Sequence, residues 1–373
     1  MIDLSILIGS ADAPETNICT FRVFPKVGAE RWMLEATQQN PWHLKTWPRA
    51  NLRARVIYRV AWIMGSFGLH FPSRIENITV AHDSVYAQLL MEFDRLGVFL
   101  GTPGPNRKIV VYAARADHAV FVKIPLGPAS GVLVAREAEA LAELAQDNDL
   151  SPLVPRAEQL AGHLAVENIE TEGVVHAALD LTEVIRIHNL LLRRSETTKP
   201  LNELRSDWKV GVEGKLVEHS METRVAVSAA REAAECFLDR LPSDLDVSCY
   251  MAHGDFTRWN VLRAADGSAR IMDWELYGLK PRWFDVLHYL VSHDLLVKQI
   301  PPERVFTRLR QVASEYPSLA ADWLQQVGLY FCYQSLYYTT VFERQADLHV
   351  QAIWQLTAWA EILSLLSAEF GES

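Results

Sequence analysis

The chain has 373 residues, with 36 Lys+Arg against 46 Asp+Glu and a formal net charge of −10. Hydrophobic residues make up 49% and charged residues 22%, a globular composition that excludes a disordered or fibrous protein. The acidic excess repels phosphodiester backbones, so nucleic acid is not an expected partner.

The length suggests two domains, or one domain with a large extension. Four scattered cysteines, Cys19, Cys236, Cys249 and Cys332, follow no metal-ligand spacing and read as reduced thiols of a cytoplasmic protein. Met1-Ile-Asp-Leu-Ser5 lacks the basic and apolar pattern of a signal peptide. In chain order, short strands are predicted at Leu4–Ile8 and Cys19–Phe24, a helix after Pro48, and another from Ser84 to Leu96. Val98–Gly101, Lys108–Ala113 and Ala119–Ile124, separated by turn residues, predict a three-stranded antiparallel meander. Ser130 is a candidate cap for a helix from Gly131 to Ala145, and His163–Val166 is a further strand. Beyond Val174 the pattern is mainly helical, with helices predicted over Val174–Arg194 and Glu222–Arg240 and a short strand-rich segment near 250–275. Two stretches resemble membrane spans. Val56 to Phe71 is broken by Arg59, and Trp323 to Phe342 is uncharged but carries Gln325, Gln326 and Gln334. Both read as buried amphipathic helices, and no membrane partner is expected.

The strongest signal is His253-Gly254-Asp255, then Asn260, then Asp273-Trp274-Glu275. Asp266-Gly267 between apolar runs predicts a hairpin. With a two-residue turn, Ala265 faces Ser268, Leu262 faces Ile271, and Asn260 faces Asp273. An amide oxygen beside a carboxylate suits a hard cation such as Mg²⁺. Asp255, on a loop opened by Gly254, can orient a substrate hydroxyl and accept its proton during phosphoryl transfer.

The order H-x-D, x-x-x-x-N and then an aspartate on the next strand follows the logic of a kinase catalytic loop. In the form written here, from about Val98 to the C-terminus, the sequence resembles the aminoglycoside phosphotransferase and choline kinase-like family. The resemblance implies an α+β, two-lobed protein kinase-like fold, with a small antiparallel β lobe and a larger, mainly helical lobe. Residues 96–170 would then be the small nucleotide-binding lobe, and 171–373 the large catalytic and acceptor-binding lobe. Residues 1–95 lie outside the family pattern and form an extension that joins or caps the small lobe. The resemblance also implies ATP (or GTP) and Mg²⁺ as cofactors and a small-molecule hydroxyl as acceptor, with Asp255 as catalytic base and Asn260 and Asp273 as magnesium ligands. It asks for a lysine on the third strand of the small lobe and a glutamate on the following helix. Phe121-Val122-Lys123-Ile124 and Arg136-Glu137 supply Lys123 and Glu137, whereas Glu139 points to another helix face. There is no G-x-G-x-x-G, and Gly101-Thr-Pro-Gly104 is the candidate phosphate cover.

Around this set, His253 is read as structural. Asp285 is read as a cap or a brace for the catalytic loop. Glu275 is either near the metal or on the surface, and Arg258 either neutralises phosphate or forms a salt bridge. His288, His293 and Asp294 lack metal-ligand spacing. Trp274, Trp283, Tyr330, Tyr333, Tyr337 and Trp354 are read as core, some of them lining an acceptor pocket. Leu164 to Ile169 would be the interlobe hinge. Two competing readings are a catalytically weak, nucleotide-binding regulatory protein and a metallohydrolase using His253, Asp255 and Asp273.

Overall fold

The computed structural model describes residues 4–372 except 11, 26–29, 39, 48–51, 70–71, 103, 105, 117, 170–176, 210–215, 265 and 346–347. The chain divides into two compact units, Met1–Val175 with Ala264–Arg270, and His176–Arg263 with Ile271–Ser373. Antiparallel sheet and helix together give an α+β architecture.

The first unit opens with helix α1 (Ser5–Ile8), where a strand was predicted over Leu4–Ile8. An apolar run this short fits either state by pattern. Here Ile8 N and Gly9 N donate to Leu4 O and Ser5 O at 3.0 and 2.8 Å, which closes a helical turn. Strands β1 (Thr16–Phe24) and β2 (Trp32–Glu35), helix α2 (Leu52–Ser66), strand β3 (Arg74–Ala81) and helix α3 (Val85–Glu92) follow. Next come β4 (Arg95–Phe99), β5 (Lys108–Arg115), β6 (His118–Pro125), α4 (Pro128–Leu144), β7 (Ala157–Leu160) and β8 (His163–Glu167). The eight strands make one antiparallel sheet in the order β3-β1-β2-β4-β5-β6-β8-β7. The meander β4-β5-β6 sits at its centre, and strands from the first 81 residues extend it on one side. Of Leu164 to Ile169, read as a hinge, Leu164–Glu167 lie in β8, paired with β6 and β7.

Ser84 caps α3 by accepting from Ala87 N at 3.2 Å, but the helix ends at Glu92. The predicted continuation to Leu96 is taken by the sheet, where Leu96 pairs with Ala113 and Val98 with Val111. Leu96, Val98, Val111 and Val122 are buried in one core with Phe21, Met33 and Tyr86.

The reading of 56–71 as a buried helix is overturned. Helix α2 turns Ala61 and Gly65 inward, against the short 3₁₀ turn Trp42–Thr46. Val56, Val60, Ile63 and Phe67 face outward, 52, 48, 59 and 79% exposed. The helix is apolar on both sides, so its period identifies a helix without telling which face is inside.

In the second unit, α5 (Leu181–Ser195) starts seven residues later than predicted, because Asp180 caps it by accepting from Glu183 N at 2.9 Å; 174–176 lie outside the described residues. Strand β9 (Thr197–Pro200), α6 (Leu201–Asp207), α7 (Met221–Leu238), β10 (Asp246–Ala252), β11 (Val261–Arg263), β12 (Ala269–Ile271, of which Ala269 and Arg270 belong to the first unit) and β13 (Gly278–Pro281) follow. Helices α8 (Phe284–Ser292), α9 (Pro302–Glu315), α10 (Pro317–Ala320), α11 (Trp323–Phe342) and α12 (Val350–Glu372) complete the unit. Strands β13-β10-β9 form an antiparallel sheet, and α7 packs against α11 and α12. Helix α11 is buried along most of its length, and no described helix is long and apolar enough to cross a membrane.

Candidate active site

In the first unit, β6 presents Lys123 and α4 presents Glu137. The inward face of α4 carries Leu133, Val134, Glu137, Ala140, Leu141 and Leu144, all buried at spacings of three and four. Pro128 at the first helical position sets the entry of α4. Ser130 sits inside the first turn instead of before it, accepting from Leu126 N and Gly127 N at 3.1 Å. Glu137 is therefore the one carboxylate on an otherwise apolar face. Its two oxygens accept from Lys123 Nζ at 2.7 and 2.6 Å. Glu137 is fully buried and Lys123 only 8% exposed. A buried charge is tolerated when it is paired and hydrogen-bonded, and this pair meets both conditions. Glu139 is exposed. The Gly101–Gly104 turn is only partly described, since 103 lies outside the described residues.

In the second unit, β10 ends at Ala252 and the chain turns sharply through His253-Gly254-Asp255. Gly254 has φ 86, and a Cβ there would lie 2.2 Å from Leu276 O, so both conformation and space require glycine. Asp285, near the start of α8 and 2% exposed, braces the turn: its oxygens accept from His253 N at 2.8 Å and Gly254 N at 3.0 Å. The bracing option of the sequence reading is thus the observed one. His253, fully buried, has its tautomer fixed by its partners. Nδ1 accepts from Asp255 N at 3.1 Å, and Nε2 donates to Met272 O at 3.0 Å. Beneath the loop, Tyr250 OH accepts from Asp285 N at 3.2 Å, and burial pushes that phenol well up.

Asp255 is held through both carboxylate oxygens. Asn260 Nδ2 donates to Oδ2 and to the Asp255 carbonyl, each at 2.9 Å. Both partners are acceptors, so the Asn260 amide nitrogen must face them, and its oxygen is directed elsewhere. The other oxygen, Oδ1, lies 3.0 Å from His288 Nε2. His288 Nδ1 in turn meets Tyr330 OH at 3.0 Å and Gln334 Nε2 at 2.8 Å. Sequence analysis set His288 aside because it lacked metal spacing. The missed signal is its place three residues after Asp285, which puts both on one face of α8, toward the 253–255 turn.

The hairpin differs from its prediction. Ala264 N donates to Ser268 O and Gly267 N to Ala264 O, both at 2.9 Å, and Met272 N donates to Asn260 O at 2.9 Å. The turn has three residues, 265–267, with Gly267 at φ 84 in the bulge position. The register is therefore shifted by one, and Asn260 stands opposite Met272, not Asp273. Ala265, the expected partner of Ser268, lies outside the described residues. Asp273 itself has φ 66. A left-handed aspartate outside a turn costs about 1–3 kcal/mol, and such strain concentrates at functional sites. Asp273 and Glu275 each present a carboxylate oxygen within 4.8 Å of the other's. Two carboxylate oxygens this close are hard donors of the kind a divalent cation takes; no contact brings the Asn260 amide oxygen to them among the described residues.

Arg258 forms no salt bridge among the described residues; its guanidinium lies 5.3 Å over the Tyr289 ring. With Arg308, Gln311 and Glu315 it lines a cavity of about 270 Å³. Asp294 is buried and ion-paired with Arg308 and Lys298, burial and then Arg258 lower His293, and neither residue belongs to a cluster of metal-ligating groups among the described residues. Trp274, Trp283, Tyr330 and Tyr333 are buried core residues.

No family model matches the sequence, and no curated protein matches it. Solved structures do. A choline kinase, LicA, of Streptococcus pneumoniae is 16% identical, with 69% of this chain and 89% of that chain covered and a TM-score of 0.42. An ethanolamine kinase of Plasmodium vivax is 12% identical, with 87% and 91% covered and a TM-score of 0.41. An aminoglycoside-3'-phosphotransferase of type VIII is 16% identical, with 68% and 88% covered and a TM-score of 0.28. The solved structures similar to this chain thus include small-molecule kinases, at 12–16% identity.

Proposed function

We propose that the protein is an ATP- (or GTP-) and Mg²⁺-dependent phosphotransferase that moves the γ-phosphoryl group to a hydroxyl of a small molecule. The observation that carries this reading is the double fixing of Asp255, by Asn260 on one oxygen and His288 on the other. A carboxylate so restrained is preorganised to orient an acceptor hydroxyl and to take its proton as the oxygen attacks phosphorus. Lys123, held by Glu137, contacts the nucleotide phosphates as a fixed positive charge. The Asn260 amide oxygen and the Asp273 carboxylate are the ligands for Mg²⁺, with Glu275 as a further donor; all are hard oxygens, as that ion requires. When bound, the metal neutralises charge developing on the phosphate oxygens. Asp285 and His253 keep the loop in one conformation, so that no reorganisation is needed when the acceptor arrives.

The test is ADP release by purified protein with MgATP and a panel of acceptors: choline, ethanolamine, glucosamine, an aminoglycoside and an amino-acid alcohol. One of these should stimulate ADP release well above the rate with water alone. Asp255→Ala should abolish that stimulation while nucleotide binding persists. Full activity in Asp255→Ala would refute the assignment.

A further inference from the structure

The outward face of α2 is built like a surface that enters another apolar phase. Val56, Val60, Ile63 and Phe67 recur at spacings of four, three and four, and each is about half exposed or more. The stripe continues past the helix end into Leu69, 62% exposed. The end itself is firmly made. Leu69 N donates to Met64 O and Gly68 N to Gly65 O, both at 2.9 Å, so Phe67 and Leu69 are held in place by a closed cap. The opposite face is already used. Trp62 packs edge-on against Trp42 with ring centroids 5.5 Å apart, Lys45 lies 5.1 Å over the Trp62 ring, and Ala61 is buried. The helix cannot bury the outward stripe by turning round.

The charge around this stripe is as unusual as its exposure. Between Glu35 and Glu76 the sequence contains no acidic residue, yet it carries Lys45, Arg49, Arg53, Arg55, Arg59 and Arg74 in a chain of net charge −10. Arg74 is ion-paired with Glu30 and Glu76, outside the segment's centre. The helical period sets position 59 about 60° to one side of Val56, so that the exposed Arg59 borders the apolar stripe. An apolar face bordered by cations is the arrangement of a helix that lies in a membrane interface, with its apolar side chains among the acyl chains and its arginines at lipid phosphates. A second copy of the chain is a poorer occupant, because a two-fold contact would bring the same basic segment against itself.

We propose that α2, with Phe67 and Leu69, is a docking surface for an anionic lipid bilayer. The chain lies on the membrane through this helix and does not span it. The sequence reading expected no membrane partner because it took this helix as buried, and the acidic whole-chain charge conceals a local reversal of sign. This inference is independent of the phosphotransferase reading.

The experiment is co-sedimentation of the full chain with two vesicle preparations: phosphatidylcholine alone, and phosphatidylcholine partly replaced by phosphatidylglycerol. Binding is expected to the second and not the first, and to fall as salt is raised. Arg59→Glu should weaken it at least about five-fold, from the loss of one charge contact. Ile63→Glu combined with Phe67→Glu should weaken it about ten-fold or more. Both positions are exposed, so the near-UV circular dichroism of that variant should match the wild type. Absence of binding to phosphatidylglycerol vesicles would overturn the proposal. So would equal binding to both preparations, binding indifferent to these substitutions, or a dimer in gel filtration that Phe67→Glu dissolves.

Discussion

The brace at Asp285 offers the sharpest energetic test. Its carboxylate accepts two backbone N–H groups, from His253 and Gly254, at 2.8 and 3.0 Å in a site that is 2% exposed. Asp285→Asn preserves shape but leaves one oxygen, and its amide nitrogen then confronts a backbone N–H. One buried donor loses its partner, which costs about 1–3 kcal/mol, and the surviving bond loses its charge, which costs about 1 kcal/mol more. The sum is about 3 kcal/mol, or roughly two decades in the equilibrium for opening this turn. Hydrogen–deuterium exchange of the segment 250–256 reads that quantity directly. Protection of the His253 and Gly254 amides should fall by about a hundred-fold, while that of α7 and α12 changes little. Because the turn carries Asp255, ADP release should fall about a hundred-fold as well, as expected for a displacement of about 1 Å. Unchanged protection at these two amides would refute the bracing role, whatever happened to activity.

Other outcomes follow from the same geometry. Lys123→Met leaves the fully buried Glu137 unpaired and should destabilise the first unit by about 3–5 kcal/mol, whereas Lys123→Met with Glu137→Leu should recover most of that in denaturant unfolding. Gly254→Ala places a Cβ 2.2 Å from Leu276 O at φ 86 and should lower thermal stability and turnover together. His188 is a pH test. Its ring lies between Trp283 and Tyr250, both its nitrogens are buried without partners, and burial, then Arg282, lowers it from 6.5 to about 3. The unfolded chain binds a proton that the folded site refuses, so stability is intact above pH 6.5 and is lost as pH falls toward 3. The loss is about 2 kcal/mol by pH 5. His188→Phe keeps the stacking and should flatten this limb, measured as the difference in acid midpoints; an unchanged limb would show that His188 does not titrate as described.

How much of this was legible in the sequence depends on the kind of information each element needed. The meander β4-β5-β6 was readable because turn residues punctuate short apolar runs, and Lys123 on a strand with Glu137 on the next helix was readable from local spacing, whereas Asp273, expected on a strand, lies beyond the end of β12 at Ile271. The hairpin register was not. Asp266-Gly267 serves a two-residue turn and a three-residue bulged turn equally, and only the hydrogen bonds of Ala264 and Gly267 decide between them. His288 was passed over because its partner is set by tertiary packing of α8 against the loop, and only its spacing of three from Asp285 hinted at it. Helix α2 was recognisable as a helix, but with apolar residues on two faces the choice of the inner one belongs to the 3₁₀ turn it packs on. Helix α1 was misread because four apolar residues carry no period.

The central claim is that Asp255 takes the proton from an acceptor hydroxyl as phosphate is transferred. Its most direct test is transfer of labelled γ-phosphate from MgATP to the acceptor by wild type and by Asp255→Asn, with nucleotide saturating. Labelled phosphoester is expected from the wild type, with a loss of about a thousand-fold or more in kcat for the variant. Transfer by Asp255→Asn at the wild-type rate would contradict it.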